Sequence, residues 1–323
     1  MEEVVELAVR ALTKVEVRKE SEKLALSRAS VELGVRDRGV MGFAHRLVLE
    51  VLKKLNFLDE AVRMALDGTD IMGLKPRIRA FLRLFAYRAI VEGAEPRELI
   101  RFVQAGREVL GLGPLRPVEK ALGRLTTMSM ADILSGKHGD GRLALELGVP
   151  EWLLKLLYRD LGRSFTLDFL RACLSPPPTY IRVNTLKGDE EAIIRSLSDE
   201  GIELEPVEGL RYVYEVLEAG KPLPTTRAYR EGLIYVQDKA SCLAVEFAGP
   251  EPGMTVLDVC AAPGAKTSHM AQLMDNEGTI LSVDFSPRRM GAWRTLMARL
   301  GVKIAHPCLL YTSDAADDGE SVD

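Results

Sequence analysis

Apolar positions in residues 1–145 recur at three- and four-residue intervals. Leu47, Val48, Val51, Leu52 and Leu55 form one such stripe and leave Lys53 and Lys54 outside it. Ile78, Phe81, Leu82, Phe85, Ala86, Ala89 and Ile90 form a second, with Arg79 and Arg83 one turn apart on another face. This spacing predicts amphipathic helices, and Pro76 and Gly93 suit the start and the end of the second one. The stripes form the core of a helical bundle, so a function would lie on the arginine side. Residues 150–172 also read as helical, and Pro176-Pro177-Pro178 then interrupts the pattern with a stiff, extended connector.

The texture changes after the prolines. Residues 179–186 read as a strand, 189–200 as a helix closed by Gly201, and 202–207 as a strand. That order predicts a small α+β subdomain of RNA-recognition type, in which Arg182 and Asn184 are candidates for RNA or structural contacts. From Gly232 strands (233–236, 255–259, 279–283, 302–306) alternate with helices (239–247, 265–274, 287–300). Such alternation predicts a parallel sheet with helices on both faces.

The chemistry gathers at two strand ends. One apolar run stops at Asp258, the small-residue turn Cys260-Ala261-Ala262-Pro263-Gly264 follows, and Ala265 and Lys266 open a helix. A strand that ends this way lets backbone N–H groups approach a ligand, and the next helix turns its positive end to it. The following run ends in Asp284, where such folds hydrogen-bond the ribose hydroxyls of a nucleotide-like ligand. Gly264 stands alone, so there is neither the G-x-G-x-x-G of a dinucleotide fold nor a Walker-type Gly-Lys-Ser/Thr run. The two tips outline an adenosyl site without a pyrophosphate cradle, as S-adenosylmethionine requires. The plainer alternative is a strand–turn–helix with a structural Pro-Gly.

Asp258-Val-Cys-Ala-Ala-Pro-Gly-Ala-Lys-Thr267 resembles the cofactor loop of the Sun/Fmu-type RNA cytosine-C5 methyltransferases, which typically read Asp-x-Cys-Ala-Ala-Pro-Gly-Gly-Lys-Thr. Glu231-Gly-Leu-Ile-Tyr-Val-Gln-Asp-Lys-Ala-Ser241 and Tyr180-Ile-Arg-Val-Asn184 are similar to two segments that precede that loop in the family. Asp284 with Ser286 and Arg289 resembles its second-strand motif, and the N-terminal part resembles the NusB-like RNA-binding domain of some members. The likeness runs to about residue 306. It implies an all-α NusB-like bundle (1–145), linker helices with the α+β subdomain (146–230), and the first part of a Rossmann-like methyltransferase sheet (231–307). S-adenosylmethionine would be the cofactor, held by Cys260, Ala261, Ala262, Pro263, Gly264, Ala265, Lys266, Asp284 and Arg289. Structured ribosomal or transfer RNA would be the partner.

Ala265 departs from the family's second glycine. A methyl there costs about 1 kcal/mol if the residue needs positive φ, and almost nothing if it is the first residue of the helix; the second is expected. The family adds a cysteine thiolate to carbon 6 of cytosine, which activates carbon 5 toward the sulfonium methyl. It places that cysteine after strands four and five, which this reading does not find. Pro307-Cys308 lies at the third strand and lacks the preceding Asp-Ala, so no catalytic residue is assigned. Cys173 and Cys242 read as buried packing residues.

Composition sharpens part of this. An apolar fraction of 47% over 323 residues supports packed cores. No apolar run reaches membrane-spanning length, the start is acidic, and four cysteines and four histidines are scattered. A reduced, cytoplasmic protein without a metal site or membrane contact is the expectation. The formal charge is −4, yet residues 71–130 hold eleven Lys/Arg against five acids. A basic face on an acidic chain suits phosphate contact, and Arg79 and Arg83 are the candidates. Residues 308–323 carry five acids and no base, and read as foreign sequence joined to a truncated gene. A genuine acidic tail is the alternative. The expected function is therefore an RNA cytosine-C5 methyltransferase whose catalytic part is missing from this chain, leaving it inactive, poorly soluble, and with residues 255–259 as a bare apolar edge. The alternative is a non-catalytic RNA-binding protein with a decayed methyltransferase domain.

Overall fold

The computed structural model describes residues 1–68 and 70–310. The anomalous tail, apart from Cys308–Leu310, thus lies outside the described residues. Two compact units divide the chain, one ending at Pro176 and the other beginning at Pro177.

The first unit is helical: α1 (Glu2–Arg18), α2 (Glu22–Leu33), α3 (Arg38–Lys53), α4 (Leu55–Ala65), α5 (Pro76–Ala86), α6 (Pro96–Leu110), α7 (Leu112–Leu115), α8 (Glu119–Leu125), α9 (Met130–Leu134), α10 (Gly139–Glu146), α11 (Glu151–Leu161) and α12 (Arg163–Leu174). Polar side chains set several starts: Asp37 accepts the Val40 N–H at 2.8 Å, and Ser129 with Asp132 forms a capping box. The expected helix over 150–172 is broken at Gly162, which adopts φ 79°. Both predicted stripes are buried, and they join one core that draws on α1 through α9. Helix α5 is its axis, packed against α1, α3, α4, α6 and α8. Phe81 and Phe102 stack with ring centres 5.6 Å apart, and a Cβ on Gly106 would come within 2.3 Å of the Phe81 ring. A glycine is what lets α6 approach α5 that closely.

Because α5 is surrounded, every residue from Ile78 to Ala86 is buried. This overturns the expected arginine face. Arg79 and Arg83, 6% and 5% exposed, point inward. Arg79 donates to the carbonyls of Met72 and Leu74 at 2.8 and 2.6 Å and pairs with Glu16 at 2.8 Å. Arg83 forks onto Asp59 at 2.6 and 2.9 Å and reaches Glu16 at 3.0 Å. Neither guanidinium is free to meet a phosphate.

The second unit holds two sheets: β1 (Thr179–Val183), α13 (Glu190–Asp199), β2 (Ile202–Pro206), β3 (Val213–Ala219), α14 (Arg227–Glu231), β4 (Ile234–Val236), α15 (Lys239–Ala248), β5 (Thr255–Asp258), α16 (Ala265–Leu273), β6 (Thr279–Asp284), α17 (Pro287–Leu300) and β7 (Ala305–Leu309). The first four strands form an antiparallel sheet in the order β2-β3-β1-β4. β3 was not foreseen, and β4, read from sequence as the start of the parallel pattern, instead pairs antiparallel with β1. Ile181 and Val183 pack with Ile193 and Leu197 of α13. On β1, Tyr180 and Arg182 point the other way, Tyr180 packing in a cluster with Cys242 of α15.

Strands β5, β6 and β7 form the parallel sheet, with α16 and α17 as crossovers. The third strand lies later than expected and takes in Pro307 and Cys308, opposite Ser282 and Val283. β5 is one of its two edge strands among the described residues; Leu257 within it and Val259 just after it are 61% and 71% exposed, and Phe247 of α15 is 92% exposed. No described helix is long and apolar enough to cross a membrane.

Candidate cofactor-binding site

The loop between β5 and α16 is tied down from three sides. Asp258, nearly buried at the strand tip, accepts from the Thr267 hydroxyl at 2.7 Å, which joins the strand to its helix. Trp293 of α17 donates to the same hydroxyl at 3.4 Å. Ala261 N–H bonds to the Val283 carbonyl at 3.0 Å and so extends the β5–β6 contact into the turn. The Ala262–Pro263 peptide is cis. Gly264 has φ 115°, and a Cβ there would lie 2.5 Å from Met297 Cε and 3.1 Å from Trp293 Cδ1. Both backbone conformation and space demand glycine at this point. Ala265 is the first residue of α16, so the substitution of the family's second glycine carries no φ penalty. Cys260, Pro263 and Lys266 are exposed, while Ala261, Ala262 and Gly264 are buried.

Asp284 ends β6 and is 2% exposed. It accepts the Ala262 N–H at 3.2 Å and the Ser286 N–H at 3.0 Å, and Arg289 approaches it at 3.4 Å. Arg289 also donates to the Ala262 carbonyl. The expected pair therefore meets, and it braces the loop. A carboxylate offers about four acceptor positions, so Asp284 keeps capacity for one further donor.

Arg182 and Asn184 lie within the unit as rivets, which settles their alternative readings toward structure. Arg182 is wholly buried and donates to Gln237 at 3.0 Å, to Ser268 at 2.8 Å and to Gln272. None of those partners is charged, and burial lowers the guanidinium pKa to about 10. Gln272 in turn donates to the Val183 carbonyl at 2.9 Å. Asn184 bridges the carbonyls of Gly232 and Leu300 at 2.8 and 2.9 Å. These links join the small sheet to α16 and α17, and Arg182 leaves the small sheet on the side where it meets α16. Sequence spacing carries no sign of them, since the partners lie up to 116 residues away.

His269, next to Ser268, is one of the four scattered histidines. It is fully buried, 4.0 Å from the Glu246 carboxylate, and neither ring nitrogen has a hydrogen-bonding partner among the described residues. Burial, followed by the charges of Arg182 and Arg211, lowers its pKa to about 2. Cys242 is buried, and that burial raises its thiol to about 11, while Cys173 proves exposed rather than buried. Among the described residues no cluster of three or more His, Cys, Asp or Glu could hold a metal ion.

A parallel sheet whose first strand ends in a glycine turn, with a carboxylate at the neighbouring tip, defines the class of Rossmann-like folds that take an adenosyl cofactor. Residues 245–319 match the family described as 16S rRNA methyltransferase RsmB/F, and residues 149–216 match an RsmF/B-like, ferredoxin-like domain. The first match runs past Pro307 into the segment that the sequence reading set apart. The probable ribosomal RNA small subunit methyltransferase B of Bacillus subtilis is 33% identical over 180 residues, 56% of this chain and 39% of that protein. The 28S rRNA (cytosine-C(5))-methyltransferase of Mus musculus is 33% identical over 223 residues, 60% of this chain and 48% of that protein. The crystal structure of PH0851 superimposes with a TM-score of 0.73 at 25% identity, covering 96% of this chain and 69% of that one. Over residues 149–216 and 245–319 the chain is similar to the RsmB/F methyltransferases. It spans less than half the length of these two curated relatives.

Proposed function

We propose that this chain carries the cofactor-binding portion of an S-adenosylmethionine-dependent RNA cytosine-C5 methyltransferase. The braced turn Cys260–Gly264 between β5 and α16 carries this reading, because Gly264 at φ 115° holds the backbone tight where a cofactor would lie. The absence of a glycine cradle for phosphate agrees with a cofactor that has none. When bound, the cofactor supplies an electrophilic sulfonium methyl. Asp284, with capacity for one further donor, would accept a ribose hydroxyl, Lys266 would face cofactor or RNA from the rim, and Arg289 would keep the turn in place.

The RNA partner and a cytoplasmic location go with this reading by similarity to the rRNA methyltransferases. The NusB-like assignment of the helical unit is likewise part of the proposal. The four described cysteines do not supply an evident nucleophile: Cys260 belongs to the turn, Cys308 lies within β7, Cys242 is buried, and Cys173 is on α12 of the helical unit. We therefore expect the chain alone to transfer no methyl group.

Titration calorimetry with S-adenosylhomocysteine, paired with a labelled-methyl assay on ribosomal RNA, tests this. Binding that Gly264→Val abolishes, without methyl transfer, is the expected result. Methyl transfer by the chain alone would overturn the inactivity. The commitment of Asp284 to Ala262, Ser286 and Arg289 favours a second reading, a non-catalytic RNA-binding protein. RNA binding without any binding of S-adenosylhomocysteine would establish it.

A further inference from the structure

With Arg79 and Arg83 turned inward, a phosphate-binding face on the helical unit must be sought elsewhere. Arg10, Lys14 and Arg18 recur every fourth residue along α1, on one face that extends roughly 12 Å along the axis. With Thr13, Glu32 of α2 and Arg77 of α5, they line a cleft of about 320 Å³. Thr13 and Arg77 also line an adjoining cleft of about 340 Å³, which continues to Lys75. Arg10, Arg18 and Arg77 keep 37%, 60% and 41% of their side chains exposed.

The charges in this groove do not balance. Glu6 is shared between Arg10 and Arg77. Glu32 takes Lys14 at 2.6 Å and lies 3.8 Å from Arg10. The nearest carboxylate to Arg18 is Glu20 at 3.9 Å, which already holds Arg28 at 2.6 Å, and no described carboxylate pairs with Lys75. Arg10, Lys14, Arg18, Lys75 and Arg77 thus face Glu6 and Glu32 along one groove, with Glu20 beside Arg18 already paired to Arg28. A row of partly exposed guanidiniums suits a polyanion with charges repeated along its length better than a single small anion.

We infer that the groove formed by α1, the end of α2 and the start of α5 binds the phosphodiester backbone of the RNA substrate. This rests on the RNA-directed reading of the protein and places the contact on residues which the sequence did not single out. The interaction is with phosphate and is independent of base sequence, so it positions the RNA without specifying the cytosine.

Fluorescence anisotropy with a labelled RNA hairpin, titrated with the full chain between 50 and 200 mM KCl, tests the inference. Arg10→Gln/Arg18→Gln/Arg77→Gln should weaken binding about tenfold or more at the lower salt and flatten the dependence of log affinity on log salt by about two. Arg18→Gln/Lys75→Gln removes no close ion pair and should flatten it by about one, which guards against a folding defect in the triple variant. Arg97→Gln/Arg101→Gln, on exposed positions of α6, should change neither. Unchanged slopes for both groove variants, or a loss confined to the α6 variant, would overturn the placement. A wild-type chain that binds no RNA would overturn the RNA reading itself, a separate outcome. Binding of inorganic phosphate alone with the same variant pattern, without RNA binding, would show a small-anion site instead and also overturn the inference.

Discussion

The two units bury arginine in opposite ways. In the helical unit Arg79, Arg83 and Arg88 each meet carboxylates, from Glu16, Asp59, Glu92 and Glu98. In the second unit Arg182 is enclosed by two glutamines and a serine, with no carboxylate among its partners. The physical signatures differ accordingly: Asp59 and Glu16 outweigh burial and raise the Arg83 pKa, whereas burial prevails for Arg182. One interior is cemented by opposite charges, which are costly to break singly. The other surrounds a charge with neutral dipoles, so less is lost when the charge is removed with them left in place.

The largest effect should come from breaking an ion pair. Arg83→Met leaves Asp59 and Glu16 facing an apolar stem, and we expect a loss of about 3–5 kcal/mol from the helical unit in urea unfolding. Arg182→Met strands neutral acceptors but sheds a buried charge, for an expected loss of about 1–3 kcal/mol. If Arg182→Met proves the costlier change, the contrast drawn between the two interiors is wrong.

Acid should separate the units next. His269 has a pKa of about 2 in the folded chain against an ordinary 6.5, so the fold favours its neutral form. Its contribution is complete above pH 6.5 and is lost as pH falls from there toward 2. In the helical unit Glu60, hydrogen-bonded first by Arg63 and also by Lys137, is lowered from 4.5 to about 2. Its contribution is complete above pH 4.5 and declines only below that; being at a partly solvated surface pair, it is the smaller of the two. The chain's two tryptophans, Trp152 and Trp293, fall one in each unit. Fluorescence of a Trp152→Phe variant should therefore report the second unit destabilising from about pH 6.5 downward, and His269→Leu should remove that early onset. An onset unchanged by His269→Leu would refute the assignment.

The smallest change in stability, within about 0.5 kcal/mol, is expected for Val259→Lys, exposed just after the end of β5. Its consequence would be colloidal instead. An outer strand with exposed apolar side chains invites edge-to-edge pairing, so light scattering at a given concentration should fall. Equal scattering by both proteins would exclude the β5 edge as the source of association.

Much of this was legible in the sequence wherever a local rule governs. The turn from Asp258 to Thr267 could be placed because strand end, glycine and helix start are consecutive, and α17 begins and ends where Pro287 and Gly301 put it. The stripe on α5 was also correct, but the inference that Arg79 and Arg83 face solvent was not. From Ile78 to Ala86 this helix, enclosed by five others, has no solvent side, and the carboxylates that neutralise Arg79 and Arg83 come from α1 and α4. β4 was assigned to the wrong sheet because a three-residue apolar strand carries no mark of its partner. β3 escapes a period-two pattern because its run from Val213 to Ala219 is interrupted by Glu215 and Glu218. The burial of Arg182 depends on Gln237, Ser268 and Gln272, which no local pattern connects to it.

That arginine also orders events in time. It emerges from the ribosome with β1, while Ser268 and Gln272 follow eighty-six and ninety residues later. Until α16 has been synthesised, the nascent small sheet carries a charge whose neutral cage does not yet exist. The helical unit, whose buried arginines Arg79, Arg83 and Arg88 find their carboxylates within it, can complete its interior during translation. The small sheet must wait for the helix that follows the cofactor turn, so this half of the protein is expected to mature in a single late step.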